Sequence, residues 1–287
     1  MKNPYFISEP AAISFSGGRT SAYMLYKILE AHDGKLPDDV HVTFANTGKE
    51  MPETLDFVQA CSDNWDVPIV WLELEKISRT KEQGKRAVLH RVYKITDHKN
   101  ASRKGEPFDA LMNGIPSNPN VVMRTCTAEM KISAITWYMV EHLGVEPPFV
   151  TAIGIRADEK RRAIKLNGTV KMGQEKWLPM WESGETLSNV DDFWDRSNFK
   201  LELPINPDGS CWYSNCDLCF LKAKNIRLSL IKNHPEMVNW WIEAENRSDG
   251  QRFRPDEPSY EQMKVIATSQ GQLFDFDDES IPCFCGD

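Results

Sequence analysis

The chain has 287 residues, a hydrophobic fraction of 41%, an aromatic fraction of 10% and a formal net charge of −8. That length holds one large α/β domain, or one domain with an appendage. No stretch approaches the roughly 20 continuous apolar residues of a membrane span, Met1-Lys2-Asn3-Pro4-Tyr5 lacks an apolar signal core, and the acidic balance excludes a protein that is polycationic as a whole. A cytoplasmic protein is expected, with cysteines that stay reduced unless they bind metal.

In chain order, apolar runs at 11–16, 40–46 and 68–74 read as strands. Amphipathic runs at 20–32 and 52–64 read as helices. The resulting β-α-β-α-β pattern predicts a Rossmann-like, doubly wound parallel sheet with helices on both faces. Residues 76–120, rich in Gly, Pro, Asn and basic side chains, read as an irregular insertion. Residues 129–143 read as a helix and Phe149-Val150-Thr151-Ala152-Ile153-Gly154-Ile155 as a buried strand. Residues 157–210 look loop-dominated, 220–247 look like a helical pair broken before Pro235, and 258–270 look like a further helix. The expected organisation is a nucleotide-binding α/β domain over 1–165 and a helical, cysteine-bearing region over 166–287.

Between the first strand and first helix stands Ser16-Gly17-Gly18-Arg19-Thr20-Ser21. Adjacent glycines let backbone approach an anion closely, and the N–H groups at a helix start favour phosphate. The plain alternative is a turn that only joins two elements. The stretch has neither the spacing of a P-loop kinase nor that of a dinucleotide fold. Asn46-Thr47-Gly48-Lys49-Glu50 follows the second strand, where Thr47 and Gly48 could meet a ribose or adenine. Glu53 could do so too, or could serve as an ordinary first-turn acid. Gly154-Ile155-Arg156-Ala157-Asp158-Glu159 with Arg162 follows the later strand. Arginine forks there suit phosphate or sulfate, and Asp158 and Glu159 could orient them or hold magnesium. Ligands of such sheets gather beyond the carboxyl ends of the strands, which is where these segments stand.

Of the seven cysteines, Cys216-Asp217-Leu218-Cys219 is a Cys-x-x-Cys pair with Cys211 just before it. That spacing suits a metal centre, with a redox pair or plain buried thiols as the alternatives. An iron–sulfur cluster could be completed by Cys126 and one more cysteine, and zinc is the competing metal. The chain ends Cys283-Phe284-Cys285-Gly286-Asp287, and a cysteine there could act as nucleophile or sulfur carrier, or could ligate a cluster. Residues 79–104 carry Arg79, Lys81, Lys85, Arg86, Arg91, Lys94, Lys99, Arg103 and Lys104 against Glu82 and Asp97. Such a segment marks a surface for nucleic acid or another polyanion, or a solvated loop.

Taken together, Ser16-Gly17-Gly18-x-x-Ser21, Asn46-Thr47-Gly48-x-Glu50-x-Pro52-Glu53-Thr54, Arg124-x-Cys126-Thr127-x-x-x-Lys131, Gly154-Ile155-Arg156-x-Asp158-Glu159-x-x-Arg162 and Asn215-Cys216-x-x-Cys219-Phe220-x-Lys222 resemble the phosphoadenosine-phosphosulfate (PAPS) reductase family of the adenine-nucleotide alpha-hydrolase (PP-loop) superfamily. The resemblance spans nearly the whole chain and extends to bacterial and phage forms related to DNA phosphorothioation enzymes. It implies nucleotide phosphates on residues 16–21 and a basic cleft built with Arg124, Lys131, Arg156 and Arg162. It implies a [4Fe-4S] cluster on Cys126, Cys216 and Cys219, with Cys283 as the favoured fourth ligand and Cys211 or Cys285 as alternatives. The expected activity is ATP cleavage between the α and β phosphates, with magnesium, Arg19 and Arg156 stabilising charge, coupled to sulfur transfer. The alternative is reduction of PAPS or its 3′-dephospho form (APS), with Cys285 as nucleophile and a thiol reductant or sulfur-donor protein as partner. A non-catalytic nucleic-acid-binding module with a structural metal is the third reading. Arg19-Thr20 replaces the usual Lys-Asp, and Thr125-Cys126-Thr127 replaces the paired cysteines of cluster-bearing sulfonucleotide reductases. Cys285-Gly286 keeps the Cys-Gly of the reductases' terminal motif with altered flanks.

Overall fold

The computed structural model describes residues 3–81, 84, 87–115, 117–205, 211–214, 216–247 and 251–269. Its centre is a seven-stranded sheet in the order β4-β3-β2-β1-β5-β7-β6. β1 (Ala11–Ser14), β2 (Val40–Ala45), β3 (Ile69–Thr80), β5 (Phe149–Ile153) and β7 (Gln174–Trp177) run parallel. β4 (Val88–Thr96) and β6 (Val170–Lys171) close the two edges antiparallel. β1 and β2 bury nearly every side chain, as strands covered on both faces must.

α1 (Arg19–Ala31), α2 (Pro52–Trp65) and α7 (Leu187–Arg196) cover one face, where Phe15, Met24, Phe44, Val58 and Trp194 form a core. α3 (Glu106–Gly114), α8 (Lys224–Asn233), α9 (Val238–Arg247) and α10 (Tyr260–Ser269) build the opposite core around Leu74, Tyr93, Phe108, Leu218, Trp241 and Phe253. This face also holds a helical run of π-type turns at Cys126–Ile132 and Trp137–His142 around α4 (Ser133–Thr136). Proline at the first turn and Glu53 beside it start α2, and left-handed Asp66 ends it. The doubly wound sheet and the C-terminal helices match the sequence reading.

Two segments differ from it. Residues 76–120 are largely ordered. β3 continues to Thr80 and pairs with β4, placing Ile77 and Tyr93 on the core side while Lys76 and Val92 pair on the other. The alternation is strand-like, but cationic residues on the outer face mask it. Residues 157–210 hold α5 (Lys160–Leu166), β6, β7, α6 (Pro179–Ser183) and α7. These elements are short, and their turns supply the glycines that suggested loop. The sheet therefore continues past residue 165, through Trp177. The helix expected at 129–143 begins earlier, at Cys126. Among the described residues no helix is long and apolar enough to cross a membrane.

Candidate functional site

The strand order reverses between β1 and β5, whose paired ends are Ser14 and Ile153. At such a switch point the following turns diverge and leave a crevice. The glycine turn leaves β1 into it. The Ser16 N–H donates to Ser21 Oγ (3.2 Å), the two hydroxyls lie 2.8 Å apart, and Ser21 Oγ donates to the Gly18 carbonyl (3.0 Å). Ser21 is fully buried, so its hydroxyl closes the turn. No side chain caps α1, which leaves its leading N–H groups suited to an anion. Gly17 has φ +81°, and a Cβ there would lie 2.7 Å from a Thr54 methyl.

Gly154 leaves β5 against the same turn. A Cβ there would lie 3.1 Å from Ser21 Cα and 3.3 Å from Ser21 N. Only glycine lets the two backbones meet so closely. Two residues on, Arg156 Nη1 donates to Thr20 Oγ1 (3.2 Å), and its Nε donates to Asp158 (3.1 Å). The Arg156 N–H donates to Glu159 (3.1 Å), which also pairs with Arg162. Asp158 and Glu159 thus orient arginines, the first of their two expected roles. Arg19 pairs with Asp191 of α7 at 2.8 Å on the cavity rim.

The Asn46–Glu50 segment turns elsewhere. Asn46 is buried and donates to Glu73 (2.6 Å) and to the Ser102 carbonyl (2.9 Å). Thr47 Oγ1 donates to Glu50 and stands 3.4 Å from Cys216 Sγ. Gly48 lies against Gly105 and Pro107. Glu50 bridges to Cys216, Lys49 pairs with Asp217 at 2.8 Å, and the Asp217 N–H donates to the Lys49 carbonyl (2.8 Å). These side chains fasten the cysteine loop to the sheet, and of the segment only Glu50 lines either crevice cavity. Glu53 Oε2 is buried without a hydrogen-bond partner among the described residues.

Among the described residues, two cavities open from the crevice. One, of about 180 Å³, is lined by Ser16–Thr20, Glu50, Lys131 and Cys211. The other, of about 220 Å³, is lined by Ser16, Arg124, Lys131 and the β6–β7 hairpin. Ser16 and Lys131 belong to both. Burial works against the Lys131 ammonium, but Glu50 and the thiols of Cys216, Cys126 and Cys219 outweigh it and hold its pKa above the ordinary value. Burial pushes the Cys126 thiol up to about 11, with the charge of Cys219 adding. Burial also raises Cys216 and Cys219, against the opposing charge of Lys131. Cys126, Cys216 and Cys219 are thereby brought into one electrostatic neighbourhood. Among the described residues no group of three or more His, Cys, Asp or Glu converges on a single metal ion. Cys283 and Cys285 lie outside the described residues.

Much of the basic segment is spent internally. Arg91 pairs with Glu129, Lys94 with Glu73 (3.1 Å), and Arg103 donates to the His98 carbonyl (2.9 Å). Lys85 and Arg86 lie outside the described residues. Lys176 and Gln174, which the sequence reading passed over, sit on β7 in the wall of the larger cavity. β7 reads Gln-Glu-Lys-Trp, a polar tetrapeptide that carries no local signal of burial.

A seven-stranded, mostly parallel sheet with a glycine turn and an arginine-bearing strand end meeting at its switch point defines a Rossmann-like α/β protein. Residues 10–167, more than half of the chain, match the phosphoadenosine phosphosulfate reductase domain, and the chain belongs to that family. It is 28% identical over 252 residues to the "Uncharacterized nin region protein ORF290" of Escherichia phage lambda, a match covering 86% of this chain and 79% of that one. It is also similar to the solved "U34-tRNA thiolase NcsA from Methanococcus maripaludis with its [4Fe-4S] cluster", with 14% identity and a TM-score of 0.41, over 91% of this chain and 72% of that one.

Proposed function

We propose that the chain is an adenine-nucleotide enzyme that binds ATP across the crevice, cleaves it between the α and β phosphates and couples the resulting adenylate to sulfur transfer. The observation that carries this reading is the position of Lys131. It lines both the glycine-turn cavity and the larger cavity, and Glu50 first, then any of Cys216, Cys126 and Cys219 that is ionised, favours its charged form against burial. One cation thus joins the phosphate turn to a cluster of cysteines, so phosphate activation and sulfur chemistry can meet.

The phosphates lie on the turn, where the α1 N–H groups and Arg156 counter their charge. An acceptor oxygen attacks the α phosphorus, the bond to the bridging oxygen breaks, and pyrophosphate leaves with that electron pair. Gly154 lets the β5 end sit against the turn, and Thr20 holds the Arg156 fork. Arg19 acts from the rim, tied to Asp191. Asp158 and Glu159 are committed to arginines, so no step is assigned to a magnesium ion held by them.

The thiol set suits a metal–sulfur centre: three soft donors with Lys131 and Lys222 to offset thiolate charge. Cys126, Cys216 and Cys219, with Cys283 or Cys211, would hold a [4Fe-4S] cluster. When bound, that cluster would supply a place for a sulfur atom or an electron. The test is pyrophosphate release from ATP by anaerobically prepared protein. Release that is lost in Arg156→Gln supports the reading. Sulfite release from PAPS without pyrophosphate release from ATP would transfer it to a sulfonucleotide reductase.

A further inference from the structure

The side of β7 turned away from the crevice borders a separate groove. Alternation along the strand puts Gln174 and Lys176 toward the crevice, and Glu175 and Trp177 toward the opposite face. Val150 of β5 stands beside Glu175 in register. The N-terminal segment crosses this face and is tied down there. Tyr5 and Ile7 are buried in the core, the Tyr5 hydroxyl lies 2.8 Å from Ser183 Oγ, and the Ile7 N–H donates to His32 Nε2 (3.0 Å). α6 brings Glu182 to the rim. Together these pieces border a cavity of about 490 Å³ that shares no described lining residue with either crevice cavity.

Among the described residues, the charged side chains lining the groove are Glu9, Glu175 and Glu182, with no lysine, arginine or histidine. They come from a loop, a strand and a helix, and among the described residues no such group converges on a metal ion. The negative charge is spread round the wall, so a ligand that neutralises it carries several separated cations. The rest of the wall is apolar and aromatic. Phe6 is 45% exposed, yet its ring is stacked on His32 at 4.7 Å, so it is held in place while facing outward. Trp177 Nε1 donates to Glu182 (3.1 Å), which fixes an indole beside a carboxylate. Aromatic faces near carboxylates suit ammonium and guanidinium head groups, and the aliphatic stems of lysine and arginine lie along apolar walls such as Ile7 and Val150. A polyamine supplies cations and methylenes but has no use for an exposed phenyl ring. A peptide with both basic and bulky apolar side chains matches both halves of the wall.

We propose that this groove docks a basic segment of a partner protein. Its lysine or arginine head groups sit among Glu9, Glu175 and Glu182, and an apolar side chain packs against Phe6. The inference does not rest on the nucleotide reading above. β7 gives alternate residues to the groove and to the crevice, so occupation of one leaves the side chains of the other free.

The probe is a fluorescent octapeptide of alternating lysine and leucine. Its anisotropy is followed as wild type, Glu9→Gln/Glu175→Gln, Phe6→Ser or Glu141→Gln/Glu146→Gln is added. The last variant removes two exposed carboxylates outside the groove and so changes net charge equally. Circular dichroism checks that each variant is folded. Glu9→Gln/Glu175→Gln should weaken binding about tenfold and Phe6→Ser about fivefold, with Glu141→Gln/Glu146→Gln unchanged. Equal weakening by the two double variants would reduce the binding to overall charge and overturn the site. Spermine that binds as tightly as the peptide, with Phe6→Ser affecting neither, overturns the peptide in favour of a small polycation. Self-association in sedimentation that disappears in Glu9→Gln/Glu175→Gln assigns the groove to a second copy of the chain instead. Absence of peptide binding to wild type rejects the proposal.

Discussion

The glycine turn packs so closely against α2 that a single methyl group should disturb it, and the size of the disturbance can be worked out. Gly17 has φ +81°, where an alanine costs about 1–2 kcal/mol. Its Cβ would also meet Thr54 Cγ2 at 2.7 Å, Val58 Cγ2 at 3.2 Å and Phe44 Cε2 at 3.3 Å. Thr54 is β-branched and helical, so its methyl cannot swing away freely. Overpacking of this kind costs about 1–3 kcal/mol, giving Gly17→Ala a total of about 2–5 kcal/mol. Gly144 is the control, with φ +75° and nothing within 4 Å of an added Cβ, so Gly144→Ala should cost only the backbone part, about 1–2 kcal/mol. Urea unfolding of both variants checks the pair, and ATP titration should show a weakened affinity for Gly17→Ala alone. A difference in stability below about 0.5 kcal/mol would refute the claim that the turn is wedged against α2.

Other outcomes follow from the site. Arg156→Gln should weaken ATP binding by about 1.5–3 kcal/mol, the worth of hydrogen bonds to a charged group, with urea unfolding showing a much smaller loss of stability; an unchanged affinity would remove Arg156 from the phosphate site. Lys176 has a folded pKa of about 8 against an ordinary 10.5, so the unfolded chain binds more protons between those values and stability should rise as pH climbs through that window. Lys176→Met should flatten the rise and stabilise the protein at pH 7 by up to about 3 kcal/mol, read by urea titration at pH 7, 8, 9 and 10. Cys126→Ser and Cys216→Ser should each abolish visible absorption and bound iron in anaerobic preparations, whereas retained iron in both would reject the cluster; bound zinc in the wild type would replace it. If the 79–104 segment binds nucleic acid, affinity for a short duplex should fall steeply with salt and weaken when Arg79, Lys81 and Lys104 are replaced by glutamine, with no change in ATP affinity.

The sequence was sufficient for the parallel core because local signals and global fold agree there. Ala11–Ser14 and Val40–Ala45 are short apolar runs, each followed by a glycine-bearing turn and an amphipathic helix, and right-handed crossover then leaves few arrangements. Ser16–Ser21 and Gly154–Arg162 were legible for the same reason, as polar, glycine-containing segments directly after buried strands. What the sequence could not decide is which polar side chains face the crevice. Asn46 and Thr47 carry the expected residue types, yet Glu73 and the Cys216 loop engage them from elsewhere in the chain, and Glu50 takes the Thr47 hydroxyl from three residues on. Ser21 has the hydroxyl of a phosphate donor but uses it to close its own turn. Lys176 looks like any strand lysine until β6, β7 and the π-type turns enclose it. The strand over 69–80 was read short because charge on its outer face hid the alternation that pairs it with β4. Chain order and periodicity are properties of neighbours in sequence, and the sequence alone determined the four central parallel strands and the turns that follow them, not strands β4, β6 and β7. Burial, partner and charge environment depend on residues that the fold brings together from separations of 27 to 169 positions, and only the tertiary structure assigned each polar group to scaffold or cavity.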